Sequence, residues 1–137
     1  MEPIIFEPIG VIHSPFKNTD EIPRQSIYAD KTRAFIEIKE DLQEGLYTLS
    51  EFPYIIILFY FHQAKVCTLQ QRSRHDQNLR GVFATRSPRR PNPIGLTIVK
   101  LIEVNGNRLE IEGIDMLDGT PVLDIKPYSA GLNPLED

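Results

Sequence analysis

Apolar and polar positions alternate along this chain in short runs. Ala34 to Ile38 alternates cleanly and predicts a half-buried strand. Tyr54 to Phe61 is apolar throughout and too short for a typical helix, which predicts a central strand buried on both faces. Ile4 to His13 mixes β-branched residues with Pro8 and Gly10 and reads as an edge or bulged strand ahead of the turn Ser14-Pro15-Phe16-Lys17. Leu96 to Val104 and Arg108 to Ile114 are further strands, with the hairpin signal Asn105-Gly106 between them. Val122 to Ile125 follows the turn Asp118-Gly119-Thr120-Pro121. One short helix is expected from Asp41 to Leu49, with Asp41 as N-cap, Glu44 three residues on, and Leu42, Leu46 and Leu49 on one face; Gly45 weakens it. Residues 64–80 are polar and basic without periodicity and read as a loop that orders on a partner. The sum is a mainly β fold, about six to seven short strands with one short helix, closing as a single-sheeted β-barrel.

Composition narrows the class. A chain of 137 residues, 41% hydrophobic and 25% charged, is the size of one globular domain spanning 1–137. Eleven prolines and eight glycines, with seven Phe and five Tyr, argue against an all-α bundle. The apolar run Tyr54 to Phe61 falls well short of the roughly 20 residues of a membrane helix, and Met1-Glu2-Pro3 begins no signal peptide, so a cytoplasmic protein with no membrane partner is expected. The single cysteine, Cys67, has no disulfide or C-x-x-C partner, and His13, His62 and His75 are scattered, which points away from a metal site. Dinucleotide, P-loop and nucleophile-elbow motifs are absent from the sequence.

Charge is strongly asymmetric. The net −4 conceals a +7 segment from Lys65 to Lys100, where eight bases meet one acid, Asp76, leaving −11 on the rest. A basic segment on an acidic body suits a local anionic partner, a phosphate backbone or a carboxylate-bearing metabolite. Within it, Pro88, Pro91 and Pro93 fix their own φ and push Ser87, Arg90 and Asn92 toward extended conformations. The loop is therefore stiff and presents Arg86, Ser87 and Asn92 in a preset geometry, either to a small molecule or simply as a rigid connection. A second stretch, Asp115 to Tyr128, gathers Asp115, Asp118 and Asp124 around a turn; these carboxylates suit a cationic or hydroxyl-bearing ligand, or ordinary turn capping.

Four segments together carry a family likeness: Ile9 to Lys17, Pro23-Arg24-Gln25, Gly81 to Gly95, and Asp115 to Tyr128. The chain resembles the TsaA-like (YaeB-like) family of tRNA methyltransferases. That resemblance implies a β-barrel working as a homodimer, with S-adenosyl-L-methionine bound near the subunit interface. It further implies methylation of N6 of N6-threonylcarbamoyladenosine, next to the anticodon of tRNA. Larger relatives carry a small extra C-terminal domain, which the nine residues after Tyr128 lead us to expect absent here.

Carried over by motif, the resemblance implies cofactor contacts at Arg24, Gln25, Ser26, Phe61, His62, Gln63, Arg86, Leu96, Asp115, Met116, Leu117 and Asp118. Lys126 and Tyr128 of the terminal Lys-Pro-Tyr motif are implied as active-site residues, with Asp118 or Tyr128 taking the proton released from N6. Leu96 and Met116-Leu117 would sandwich adenine, and Arg86 would pair with a carboxylate. Arg72, Arg74, Arg80, Arg89, Arg90 and Asn92 would contact the anticodon loop. Methyl transfer from a sulfonium is downhill, so positioning matters more than acid or base strength, and neither a metal nor a covalent intermediate is expected. The rival readings are a methyltransferase acting on a different RNA or a small amine, and a non-catalytic RNA- or nucleoside-binding module.

Overall fold

The computed structural model describes residues 1–18 and 31–132. Its strands are β1 (Gly10–His13), β2 (Arg33–Ile38), β3 (Tyr54–Tyr60), β4 (Gln70–Arg72), β5 (Leu79–Gly81), β6 (Ile94–Asn105), β7 (Arg108–Glu112) and β8 (Pro121–Pro127). Six close into an antiparallel barrel in the order β1-β2-β7-β6-β3-β8, with β8 returning to pair with β1, and β4 and β5 form a separate hairpin. Closure leaves no barrel edge for another chain to extend.

Period-two alternation drives the closure. Ile36, Ile55, Ile57, Val99, Leu109 and Ile111 point inward and are at most 2% exposed. The turn between β6 and β7 uses Gly106 at φ 64°, a left-handed position that suits glycine. Gly10 is required by close approach: a Cβ there would run into the backbone carbonyl of Glu37 on β2.

Four expectations are corrected. Tyr54 to Phe61 is not buried on both faces, because a barrel wall has one interior side. Ile55, Ile57 and Phe59 enter the lumen, while Tyr54 and Tyr60 stay 46% and 40% exposed. The expected helix at Asp41 to Leu49 is replaced by two 3-10 segments, Glu40–Leu46 and Leu49–Glu51. Lys39, not Asp41, holds the cap position, no side chain caps it, and no residue of either segment is fully buried; only Leu46 and Leu49 pack partly against the core, too narrow an apolar contact to select the α-helical register. The first strand is only Gly10–His13, and Ile4, Ile5 and Phe6 remain 79%, 89% and 67% exposed. Finally, residues 64–80 contain the β4–β5 hairpin, whose turn is built by Asp76 Oδ1 accepting from the Asn78 amide and by Gln77 at φ 61°.

Candidate functional site at one rim of the barrel

The antiparallel registers bring the ends of β1, β3 and β7 and the starts of β2, β6 and β8 to the same rim. Three described loops leave it: residues 61–69, residues 82–93 and residues 113–120. Arg24, Gln25 and Ser26 lie outside the described residues.

The 113–120 loop is tied to the turn after β1. Ser14 Oγ donates to Met116 O at 2.8 Å, and the Ser14 amide donates to Asp118 Oδ1 at 3.0 Å. Lys17 Nζ meets Asp118 Oδ2 at 2.7 Å. The Lys17 hydrogen bond, followed by the Ser14 amide, holds the Asp118 carboxyl below its usual pKa. Asp115 is pushed the other way, because burial disfavours its charge more than its own amide and the Thr97 hydroxyl support it. Its Oδ1 is buried and has no hydrogen-bond partner among the described residues. Thr97 is an inward, 5% exposed residue of β6, so Asp115 reaches the wall of the barrel just beyond the proline-rich loop.

That loop enters β6 through Gly95, where the missing side chain leaves room for the Phe59 ring. Phe59 packs edge-to-face on Phe61, with centroids 5.0 Å apart, and the Phe61 amide donates to Pro93 O at 2.8 Å. The stretch with Arg86 and Asn92, the Phe61-His62-Gln63 segment and the aspartate loop therefore all leave the barrel at one rim, the first two joined through Pro93. Arg86, Arg89 and Asn92 are exposed. Arg90 is not a free cation: its Nη1 donates to Thr85 O at 2.9 Å and Ser87 O at 3.1 Å, pinning the loop in which phosphate contact had been expected of it.

Met116 and Leu117, expected to sandwich adenine, send their side chains into the interior, at 2% and 8% exposure, so a ligand would meet only their backbone. Leu96 is 52% exposed on the outer wall. Arg72, whose Nη1 donates to Gln77 O at 3.0 Å, and Arg74 stand exposed on the hairpin, while Arg80 is engaged by Asp76 at 2.7 Å. Lys126 and Tyr128 do not join Asp118 within one subunit. They lie at the far end of β8, roughly 20 Å along the strand, with Lys126 paired to Asp124 at 2.9 Å. A groove of about 400 Å³ at that far end, lined by Leu46, Phe52 and Ile125 among others, contains none of the expected site residues.

Sequence reasoning missed Ser14, Lys17 and Thr97. Thr97 had a legible signal, being the polar residue at an inward position of the β6 alternation between Gly95 and Val99. The partners of Asp118 lie about a hundred residues away and had none.

The fold defines the class as a closed antiparallel β-barrel with polar residues gathered in loops at one rim. The family model described as tRNA-methyltransferase O N-terminal domain matches residues 11–133, and the chain belongs to that family, as the motifs had indicated. A probable S-adenosyl-L-methionine-binding protein of Pyrococcus abyssi is 46% identical over 91% of this chain and 68% of its own length. A mouse tRNA (adenine(37)-N6)-methyltransferase is 43% identical over 93% of this chain but only 31% of its own. The crystal structure of TrmO from Pseudomonas aeruginosa superposes with a TM-score of 0.84 at 39% identity, covering 99% of this chain and 60% of that one. Among the described residues no helix is long and apolar enough to cross a membrane.

Proposed function

We propose that this chain is an S-adenosyl-L-methionine-dependent methyltransferase domain acting on N6 of N6-threonylcarbamoyladenosine beside the tRNA anticodon. The observation that supports the reading is that the proline-braced arginine loop and the aspartate loop leave the barrel at the same rim, with Asp115 in reach of Thr97 four residues beyond Pro93 on β6. The residues fit the cofactor. The unpartnered Asp115 Oδ1 suits a hydroxyl or ammonium donor, and the exposed Arg86 guanidinium suits a carboxylate through paired N–H···O bonds. Leu96 and Phe61 offer apolar surface to an adenine ring.

Bound there, S-adenosyl-L-methionine supplies an electrophilic methyl group. The protein's part is orientation and proton removal. A urea-like nitrogen bearing a new methyl group is strongly acidic, so a weak base is enough to take its proton. Asp118, kept ionised by Lys17 and Ser14, is that acceptor.

The outer wall supports a homodimer. Ile94, Leu96 and Ile98 on β6 and Tyr54 and Tyr60 on β3 lie on one side of the sheet and are 40–52% exposed. Such a contiguous apolar face suits a self-complementary two-fold contact. A two-fold axis running across the strands would bring the partner's Lys126 and Tyr128 to the rim that holds Arg86 and Asp118.

The test is to incubate the protein with labelled S-adenosyl-L-methionine and tRNA, with and without prior threonylcarbamoylation, and to analyse the nucleosides. Label in methylated threonylcarbamoyladenosine, from the premodified tRNA alone, is expected. Equal labelling of unmodified tRNA would shift the reading to another RNA substrate. No label and no saturable cofactor binding would leave an RNA-binding module. Mixing inactive Arg86→Ala and Tyr128→Phe proteins should restore about a quarter of the active sites if each site spans two subunits.

A further inference from the structure

We infer that Phe83 is a stacking platform for an unpaired RNA base. The inference rests on the RNA-directed reading above and adds a residue to it. Phe83 is 80% exposed, yet the turn that carries it is tightly fixed. Its neighbour Val82 is 1% exposed, and the Val82 amide donates to Leu69 O at 2.9 Å. Val82 O accepts from both the Thr85 amide, at 3.1 Å, and the Thr85 hydroxyl, at 2.8 Å. Arg90 then clamps Thr85 O and Ser87 O from the other side. With Val82 occupying the inward position, the turn cannot swing the phenyl ring into the core. The ring is held out in water on a stiff support, so covering it costs little conformational entropy.

Its surroundings select what covers it. The foot of the hairpin is stitched to the proline-rich loop by the Thr68 amide and Gln71 Nε2, which donate to Arg89 O at 3.2 and 2.8 Å. Phe83 therefore follows directly on the hairpin that carries Arg72 and Arg74 and precedes the loop that carries Arg89, so exposed guanidinium groups flank it along the chain. The only acid between residues 65 and 100 is Asp76, already engaged by Arg80. An apolar protein surface seated on Phe83 would have to dehydrate these guanidinium groups without neutralising them. A single-stranded nucleic acid brings phosphates for the arginines and a π face for the ring in the same ligand.

The test uses the 137-residue chain with Phe83→Ala, Phe83→Leu and Phe83→Trp. RNA affinity is measured with an anticodon stem-loop carrying 2-aminopurine at one loop position after another. Phe83→Ala and Phe83→Leu should each weaken binding by roughly 5- to 150-fold. Phe83→Trp should bind as well as the unsubstituted protein. Fluorescence quenching at one loop position should occur with Phe and Trp and vanish with Leu. The salt slope should not change, because no charge is removed, whereas Arg89→Ala should flatten it. Unaltered RNA affinity in Phe83→Ala would overturn the inference. So would loss of dimer mass or of cofactor affinity that Phe83→Leu restores, which would place the ring in a subunit interface or against adenine. If the unsubstituted protein binds no RNA, the functional reading itself fails and takes this inference with it.

Discussion

Gly95→Ala tests whether the site rim is as closely packed as the structure indicates. A methyl group at position 95 would lie 2.6 and 2.8 Å from Cε2 and Cε1 of Phe59, and closer still to Cζ. These are the tips of a side chain, but the ring is only 6% exposed and wedged against Phe61 at 5.0 Å, so it has nowhere to turn. Overpacking of this kind costs about 1–3 kcal/mol. For a chain of this length a 2 kcal/mol loss lowers Tm by roughly 6 °C. Urea denaturation followed by far-UV circular dichroism should show the loss as a lower midpoint with an unchanged slope. Phe59→Leu removes the colliding ring, so the Gly95→Ala/Phe59→Leu protein should be more stable than the sum of the two single losses predicts, by about 0.5–3 kcal/mol. Cofactor affinity should fall in Gly95→Ala as well, because the displaced ring pushes on Phe61 and, through its bond to Pro93, on the loop that holds Arg86. A Gly95→Ala protein within about 0.5 kcal/mol of the original, or strictly additive losses, would refute the packing argument.

Other substitutions probe the loops. Asp118→Asn removes a carboxyl whose pKa is lowered in the folded state. The stability it contributes, about 1 kcal/mol or less for so exposed a pair, should be present at pH 7 and lost as pH falls through the folded pKa, below the ordinary 3.8; unfolding midpoints from pH 7 down to pH 2 check this. Asp115 has the opposite sign. Its raised pKa means the folded state binds the proton more tightly, so the original protein should lose stability relative to Asp115→Asn as pH rises above 3.8, levelling off past the folded pKa; a carboxyl ¹³C titration reads the same shift. Arg90→Lys replaces a planar fork that bridges two carbonyls with a point charge, and should cost about 1 kcal/mol while speeding hydrogen exchange at the Ser87 and Arg89 amides.

The barrel was legible in the sequence because its information is local. Ala34 to Ile38 and Leu96 to Val104 show period two, and Asn105-Gly106 marks the turn between β6 and β7. Burial on the second face of Tyr54 to Phe61 could not be judged, since an apolar outer wall and a doubly covered strand read alike in one dimension. The three-residue strands of the hairpin are too short and too polar to show a period. In the site, the proline-braced loop and the aspartate loop stood out individually through their residue types. Their grouping at one rim did not, because it depends on the strand registers and on Thr97 facing inward within reach of Asp115. Motif likeness grouped Asp118 with Lys126 and Tyr128, but the extended course of β8 carries them to opposite rims, a separation that only strand geometry reveals.

The β4–β5 hairpin shares no backbone ladder with the closed wall; its two strands pair only with each other, and at its foot the Thr68 amide and Gln71 Nε2 moor it to Arg89 O of the proline-rich loop. Lengthening it, shortening it or reversing its charge therefore leaves the barrel's own pairing intact. If the proposed function holds, nucleic-acid preference can change within this appendage while the rim proposed for the methyl donor stays under its own constraints. On that reading, transplanting the segment from Leu69 to Val82 between family members should exchange substrate choice without rebuilding the fold.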